Sequence, residues 1–264
     1  MNLLPAQKRA LMSKGYVRLP AVAGRARVDA ALRQINRAIG RSSTYGRNEM
    51  QSSGADGVWE ELSRHPDIES LFFATPVKSI VESLLGKHCI DPDLQRTALL
   101  RFPQAHGAVE RTAFHIDGFE YGGGAGARAA PPQTHTLAVA VFLSDTRDEE
   151  AGGLGLIPQS HRALERHFRA HPEAVEAREM PSIRLAKPVR LRARPGDAYL
   201  YHHQVAHSAF AFRNLSPRII CAAVFWVKRV GHDAVWKETL TDLWGEWPGL
   251  RALSGSARRG RVRR

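Results

Sequence analysis

The spacing of apolar residues changes character near residue 90, dividing the chain into a helical beginning and a strand-rich remainder. Val28, Ala31, Leu32, Ile35, Ala38 and Ile39 recur at the spacing of an amphipathic helix, whose apolar stripe must be covered by a sheet. Pro5 to Lys14 reads as a short helix, Gly15 to Leu19 as a strand, and Glu69 to Leu85 as a helical stretch interrupted at Pro76. Short apolar or alternating runs bounded by turn residues then predict strands at Leu94 to Phe102, Thr112 to His115, Thr136 to Ser144, Leu154 to Ile157, Val189 to Ala193, Ala198 to Tyr201 and Ile219 to Lys228. Many short strands after N-terminal helices predict a mainly β fold with buttressing helices, a double-stranded β-helix (jelly roll, cupin-like barrel). The expected organisation is one domain over residues 1–250 and a basic, disordered tail over 251–264.

Chemistry enters at His115 and Asp117, which stand two apart on a predicted strand and so project to one side while Ile116 goes to the other. His207 lies 90 residues beyond Asp117, after a Pro195-Gly196-Asp197 turn, and Arg218 lies eleven beyond His207. A lone His-x-Asp is a weak signal, since a chain with 12 His yields roughly half a match by chance. The ordered set is stronger. Two imidazoles and a carboxylate form the facial set that holds Fe(II) with positions open for oxygen chemistry. A guanidinium at Arg218 can grip a co-substrate carboxylate through two parallel hydrogen bonds. The metal ligands are therefore read as His115, Asp117 and His207, and the protein as an iron and 2-oxoglutarate dependent oxygenase using Fe(II), 2-oxoglutarate and molecular oxygen.

These residues, together with Gly152-Gly153-Leu154 and Ile157-Pro158-Gln159-Ser160-His161-Arg162, resemble the phytanoyl-CoA dioxygenase family from about Gly15 to Lys228. Gln159 stands where the family usually has glycine, and Ser208 follows the distal His by one position where the family more often has serine at two. The resemblance implies that 2-oxoglutarate meets the iron through its keto-acid end, with Arg218 anchoring the distal carboxylate and Ser208 as a further contact. It also implies polar contacts from the strand before His115, where Gln95 and Arg101 share a face with Thr97 and Leu99. The implied reaction is hydroxylation of an unactivated C–H bond of a small metabolite, with oxidative cyclisation or desaturation as the alternative. Thr136 and His203 are candidate cavity residues. His106, His135 and His161 lie near the motif segments and read as surface or supporting groups. The Gly- and Ala-rich stretch Tyr121 to Pro132 reads as a loop over the site, with Arg128 facing an acidic substrate.

Charge and composition narrow the partners. Half of the formal charge of +12 comes from six arginines in residues 251–264, a segment without acids, so specific nucleic-acid binding is not expected. A nucleic-acid dealkylase would also need a closer double-arginine spacing than Arg213 and Arg218 offer. Asp117 argues against a halogenase, in which a small residue replaces the carboxylate to admit halide. A binding module on the same scaffold would lack one of these four residues. The longest apolar run, Ile219 to Val227, is too short to span a bilayer, and Met1 to Pro20 does not read as a signal peptide. Cys89 and Cys221 have no metal-ligand spacing. A reduced, cytoplasmic protein acting on a small molecule, with no membrane partner, is the expectation.

Overall fold

The computed structural model describes residues 1–41, 49–51, 58–87, 96–102, 113–119, 135–213, 216, 218–225 and 236–254. Its organising element is an antiparallel six-stranded sheet in the order β1 (Tyr16–Leu19), β7 (Ala198–His202), β4 (Leu137–Phe142), β9 (Arg218–Phe225), β3 (Arg96–Arg101), β2 (Glu49–Gln51). A second sheet has three strands in the order β6 (Val189–Arg190), β5 (Leu154–Leu156), β8 (His207–Ala209). The chain passes repeatedly between the two, from β4 to β5, from β6 to β7, and from β7 to β8 to β9. Sequence-distant strands thereby become neighbours.

Strand alternation sorts the apolar residues into three layers. On the outer face of the large sheet, Leu137, Val139, Val141, Ala198, Leu200, Ala98 and Leu100 pack against α1 (Pro5–Lys14), α2 (Arg25–Arg41), α4 (Pro66–Phe73) and α5 (Pro76–Leu85). The α2 contribution is Val28, Ala31, Ile35 and Ala38, the stripe expected from the sequence. Between the sheets lie Ala138, Ala140, Phe142, Leu154, Leu156, Tyr199, Tyr201 and Ile220. Beyond the small sheet, Phe114, Ile116 and Phe119 pack against Leu164 and Phe168 of α6 (Ser160–Ala170) and Val175 of α7 (Pro172–Ala177).

Several expected boundaries contract or move. The Glu69 to Leu85 stretch resolves into α4 and α5, because Pro76 opens α5 at its first turn behind a Thr75 N-cap whose hydroxyl accepts from Val77 N–H at 3.3 Å. The Val189 to Ala193 strand keeps two residues. Short α3 (Val58–Ser63), α6 and α7 were not expected from the sequence. At the start of the basic segment a 3₁₀ turn at Pro248–Leu250 runs into α8 (Arg251–Ser254), and the Arg251 guanidinium donates to Gly245 O at 3.0 Å. Buried Trp247 and Leu250 anchor that end.

The Pro195-Gly196-Asp197 turn is a structural pin and takes no part in the site. Gly196 has φ 90°, and a Cβ there would lie 2.2 Å from Ala23 O, so no side chain fits. The buried Asp197 carboxylate accepts from Arg18 Nη2 at 2.7 Å, Ala21 N–H at 2.8 Å and Arg194 N–H at 2.8 Å. Burial alone pushes this carboxyl up, and the two backbone donors and Arg18 outweigh it, holding it below its ordinary value. Asp197→Ala leaves two backbone donors unanswered and is expected to cost roughly 2–4 kcal/mol at neutral pH, measured by urea unfolding. A carboxyl whose folded value is depressed stabilises the fold above its unfolded value and stops doing so as pH falls through the folded one. The gap between parent and variant should therefore narrow below about pH 4. A gap independent of pH would show that the charge on Asp197 does not matter.

Candidate metal and co-substrate site

Two segments far apart in sequence meet at the edge of the small sheet. His115 N–H donates to His207 O at 3.1 Å and His207 N–H to His115 O at 2.8 Å, a reciprocal backbone bridge. Among the described residues the predicted Thr112 to His115 strand is reduced to this bridge; Thr112 itself lies outside them. The chain then turns, with Phe119 N–H donating to Ile116 O at 3.1 Å and Gly118 at φ 83°, the positive φ that the third position of such a turn demands. Asp117 is thus on a turn, which corrects the reading that strand alternation aligns it with His115. The same-side result is reached differently: Ile116 is buried beneath the sheet, and the turn directs Asp117 back over the imidazoles.

Asp117 Oδ1 lies 3.9 Å from His115 Nε2 and 3.4 Å from His207 Nε2. Ligand atoms of the three residues all fall within 4.8 Å of one another. The Nδ1 atoms point the other way, to Ala113 O at 3.2 Å from His115 and to Val205 O at 3.1 Å from His207. Carbonyl oxygens only accept, so each neutral ring carries its proton on Nδ1 and turns the Nε2 lone pair toward Asp117. That is the tautomer a metal ligand needs. Burial pushes the Asp117 carboxyl up, but His207 first, then His135 and His115, hold it well below the carboxylate range. Conversely, burial pushes the His207 imidazole down and Asp117 more than offsets this, so it ends raised. The side chains of His115 and Asp117 are 41% and 37% exposed, which leaves the cluster open on one side. Two imidazoles and an ionised carboxylate converging on an accessible point fit a divalent iron ion.

Register places the remaining candidates. His207 pairs with Leu156 of the inter-sheet layer, so its side chain shares that space, and the Tyr201 ring lies 5.6 Å from the His207 ring. Tyr201 was not singled out by the sequence. Its phenol is pushed up by burial and then by the Asp117 charge. Arg218 is buried and has the parity of Ile220, an inter-sheet residue, so the structure brings it into the same interior. Ser208 goes elsewhere: it pairs with Gly155, on the opposite face of β8 from His207. The expected Ser208 contact with the co-substrate is therefore not supported, for the same alternation that brings His207 inward. Arg101 is the cross-strand partner of Arg218, while Gln95 and the Tyr121 to Pro132 segment with Arg128 lie outside the described residues.

Thr136 and His203 are each tied to a neighbouring side chain. The Thr136 hydroxyl donates to Glu246 Oε2 at 2.8 Å, and the His203 ring stacks on His202 with centroids 4.3 Å apart. The Ile157 to Arg162 motif connects elements around the site. Gln159 N–H donates to Lys14 O at 3.0 Å, His161 Nε2 to Met12 O at 3.2 Å, and Ala206 N–H to Ser160 Oγ at 2.8 Å. The motif thus ties the end of α1 to the loop that delivers His207. Gln159 has φ 64°, a left-handed conformation, which accounts for glycine being usual at this position.

The pattern of the Phytanoyl-CoA dioxygenase (PhyH) family matches residues 11–220. The chain belongs to the phytanoyl-CoA dioxygenase family. It is accordingly a non-haem iron oxygenase that uses 2-oxoglutarate and oxygen. Solved structures share the fold of this PhyH protein. SnoK, a non-heme alpha ketoglutarate dependent carbocyclase from nogalamycin biosynthesis, is 17% identical with a TM-score of 0.57, covering 84% of this chain and 83% of its own. HygX from Streptomyces hygroscopicus, with nickel and 2-oxoglutarate bound, is 14% identical with a TM-score of 0.54, covering 86% and 88%. EvdO2 from Micromonospora carbonacea var. aurantiaca, complexed with 2-oxoglutarate, is 17% identical with a TM-score of 0.53, covering 84% and 90%. At these identities the likeness is one of fold. No curated protein matches the chain. Among the described residues no helix of this PhyH protein is long and apolar enough to cross a membrane.

Proposed function

We propose that His115, Asp117 and His207 hold the iron, that Arg218 receives the distal carboxylate of 2-oxoglutarate, and that the enzyme hydroxylates a C–H bond of a small molecule. The carrying observation is the convergence of two Nε2 lone pairs and one ionised carboxylate oxygen within 4.8 Å. The passage of the chain between two sheets, with the cluster at their common interior, supports a double-stranded β-helix housing that site. Iron bound there, with 2-oxoglutarate and oxygen, supplies a C–H oxidant and leaves succinate and carbon dioxide as by-products.

The protein's own residues do the rest. The Nδ1–H bonds to Ala113 O and Val205 O fix the orientation of both imidazoles before any ligand arrives. Arg218, buried where the dielectric is low, favours an anionic partner over solvent. Tyr201 and the inter-sheet apolar residues wall that space from bulk water. Oxidative cyclisation at the same site is the second reading, supported by the fold shared with the carbocyclase SnoK. With Fe(II), 2-oxoglutarate and oxygen, the purified protein is expected to form succinate, and one member of a small-molecule panel should stimulate it and gain one oxygen atom. A product two hydrogens lighter would decide for cyclisation or desaturation. Absence of succinate from iron-loaded protein that binds 2-oxoglutarate would refute the reading.

A further inference from the structure

The Asp117 carboxylate has two oxygens in different surroundings. Oδ1 faces His115 Nε2 and His207 Nε2, while Oδ2 lies 3.5 Å from Nδ1 of a third imidazole, His135. The His135 side chain is 3% exposed. It stands apart from the point where the other three converge, because its ligand atoms are not among those within 4.8 Å of one another. A buried imidazole on the outer oxygen of a carboxylate is a different thing from a fourth ligand.

We propose that His135 is a positioning residue for the metal site: it restrains Oδ2 of Asp117 and so keeps Oδ1 aimed where His115 and His207 converge. This rests on those three residues being the metal ligands. The torsion that turns a carboxylate about its last bond is broad and nearly two-fold, so a carboxylate on a turn does not hold one orientation unaided. His115 and His207 are each oriented by a backbone carbonyl. Asp117 sits on a partly open turn, and the contacts described for its carboxylate are with imidazoles. His135 is the one of them that faces the outer oxygen.

The backbone beside His135 is built to keep it in place. Thr136 N–H donates to Phe225 O at 2.8 Å, and His203 N–H donates to Thr136 O at 3.4 Å. The Thr136 hydroxyl donates to Glu246 Oε2 at 2.8 Å. One residue thus joins the end of β9, the loop before His207 and the C-terminal segment, with His135 immediately before it. Outer partners of this kind contribute 10–100-fold to metal affinity where they have been removed from other sites.

The test is binding of Co(II) alone to the full chain, followed by its visible absorption, in the parent, His135→Phe, His135→Gln and His115→Ala. His135→Phe fills the space without a donor and is expected to bind Co(II) 10–100-fold more weakly. His135→Gln keeps an N–H donor and should recover most of that affinity together with the parent absorption spectrum. Thermal melts identify folded variants, and His135→Leu, smaller and also without a donor, replaces the Phe variant if that does not fold. Parent-like affinity in the donorless variant, or a Gln variant no better than it, would overturn the role of His135. Unchanged Co(II) binding in His115→Ala would overturn the ligand assignment beneath it, so the two failures are told apart.

Discussion

His207→Ala is expected to remove tight Fe(II) binding and, with it, succinate formation. Loss of an outer partner alone weakens a metal site 10–100-fold, so loss of one of three direct ligands should exceed 100-fold. The fold should survive, because His207 is paired to His115 and Leu156 through backbone groups that the substitution leaves intact. Anaerobic Fe(II) titration beside a thermal melt separates the two effects. A folded variant that still takes up iron like the parent would show that His207 is not a ligand.

Arg218→Ala should weaken 2-oxoglutarate binding by roughly 2–5 kcal/mol, the range for removing one member of a buried, hydrogen-bonded charge pair. At 1.4 kcal/mol per tenfold, this is about 30-fold to several thousand-fold in Kd. Iron affinity should stay near that of the parent, since Arg218 is not one of the convergent ligands. Arg218→Lys keeps the charge but loses the planar fork, so recovery should be partial. Calorimetric titration of 2-oxoglutarate into Co(II)-loaded protein reads all three outcomes. Unchanged affinity in the Ala variant would move the anchor elsewhere, with Arg101, the cross-strand partner of Arg218, the next residue to examine.

The convergence of His115, Asp117 and His207 was legible in the sequence because it depends on spacings that survive local error. Asp117 turned out to lie on a turn rather than a strand, yet two residues after His115 either geometry brings the groups together. The position of Arg218 followed from its place at the head of an apolar run, which became β9. The face of Ser208 was not legible, because it depends on pairing with Gly155, and pairing cannot be read from one strand. The same applies to Tyr201, which resembles Tyr199 two residues earlier until Ala138↔Tyr201 and the contact with His207 distinguish them. His135 has no fixed spacing to Asp117, and only the fold shows which oxygen it meets. Helix α6 did carry a signal, the recurrence of Ser160, Leu164 and Phe168 at intervals of four, but its first turn was absorbed into the motif beginning at Ile157.

The backbone bridge between His115 and His207 also determines when in folding the site arises. It closes 92 residues of chain, and such non-local pairing is slow to form because loop entropy is lost before contacts accumulate. The hydrogen bonds of the bridge and of both Nδ1 atoms are all internal to the protein, so the two imidazoles are assembled by the backbone and do not depend on an ion to draw them together. On the proposed assignment, iron would then be a late arrival on a finished chain. Its stabilisation follows mass action, about 2.7 kcal/mol when free iron stands at 100 times its Kd. It acts by slowing escape from the native state and leaves the rate of reaching that state unchanged.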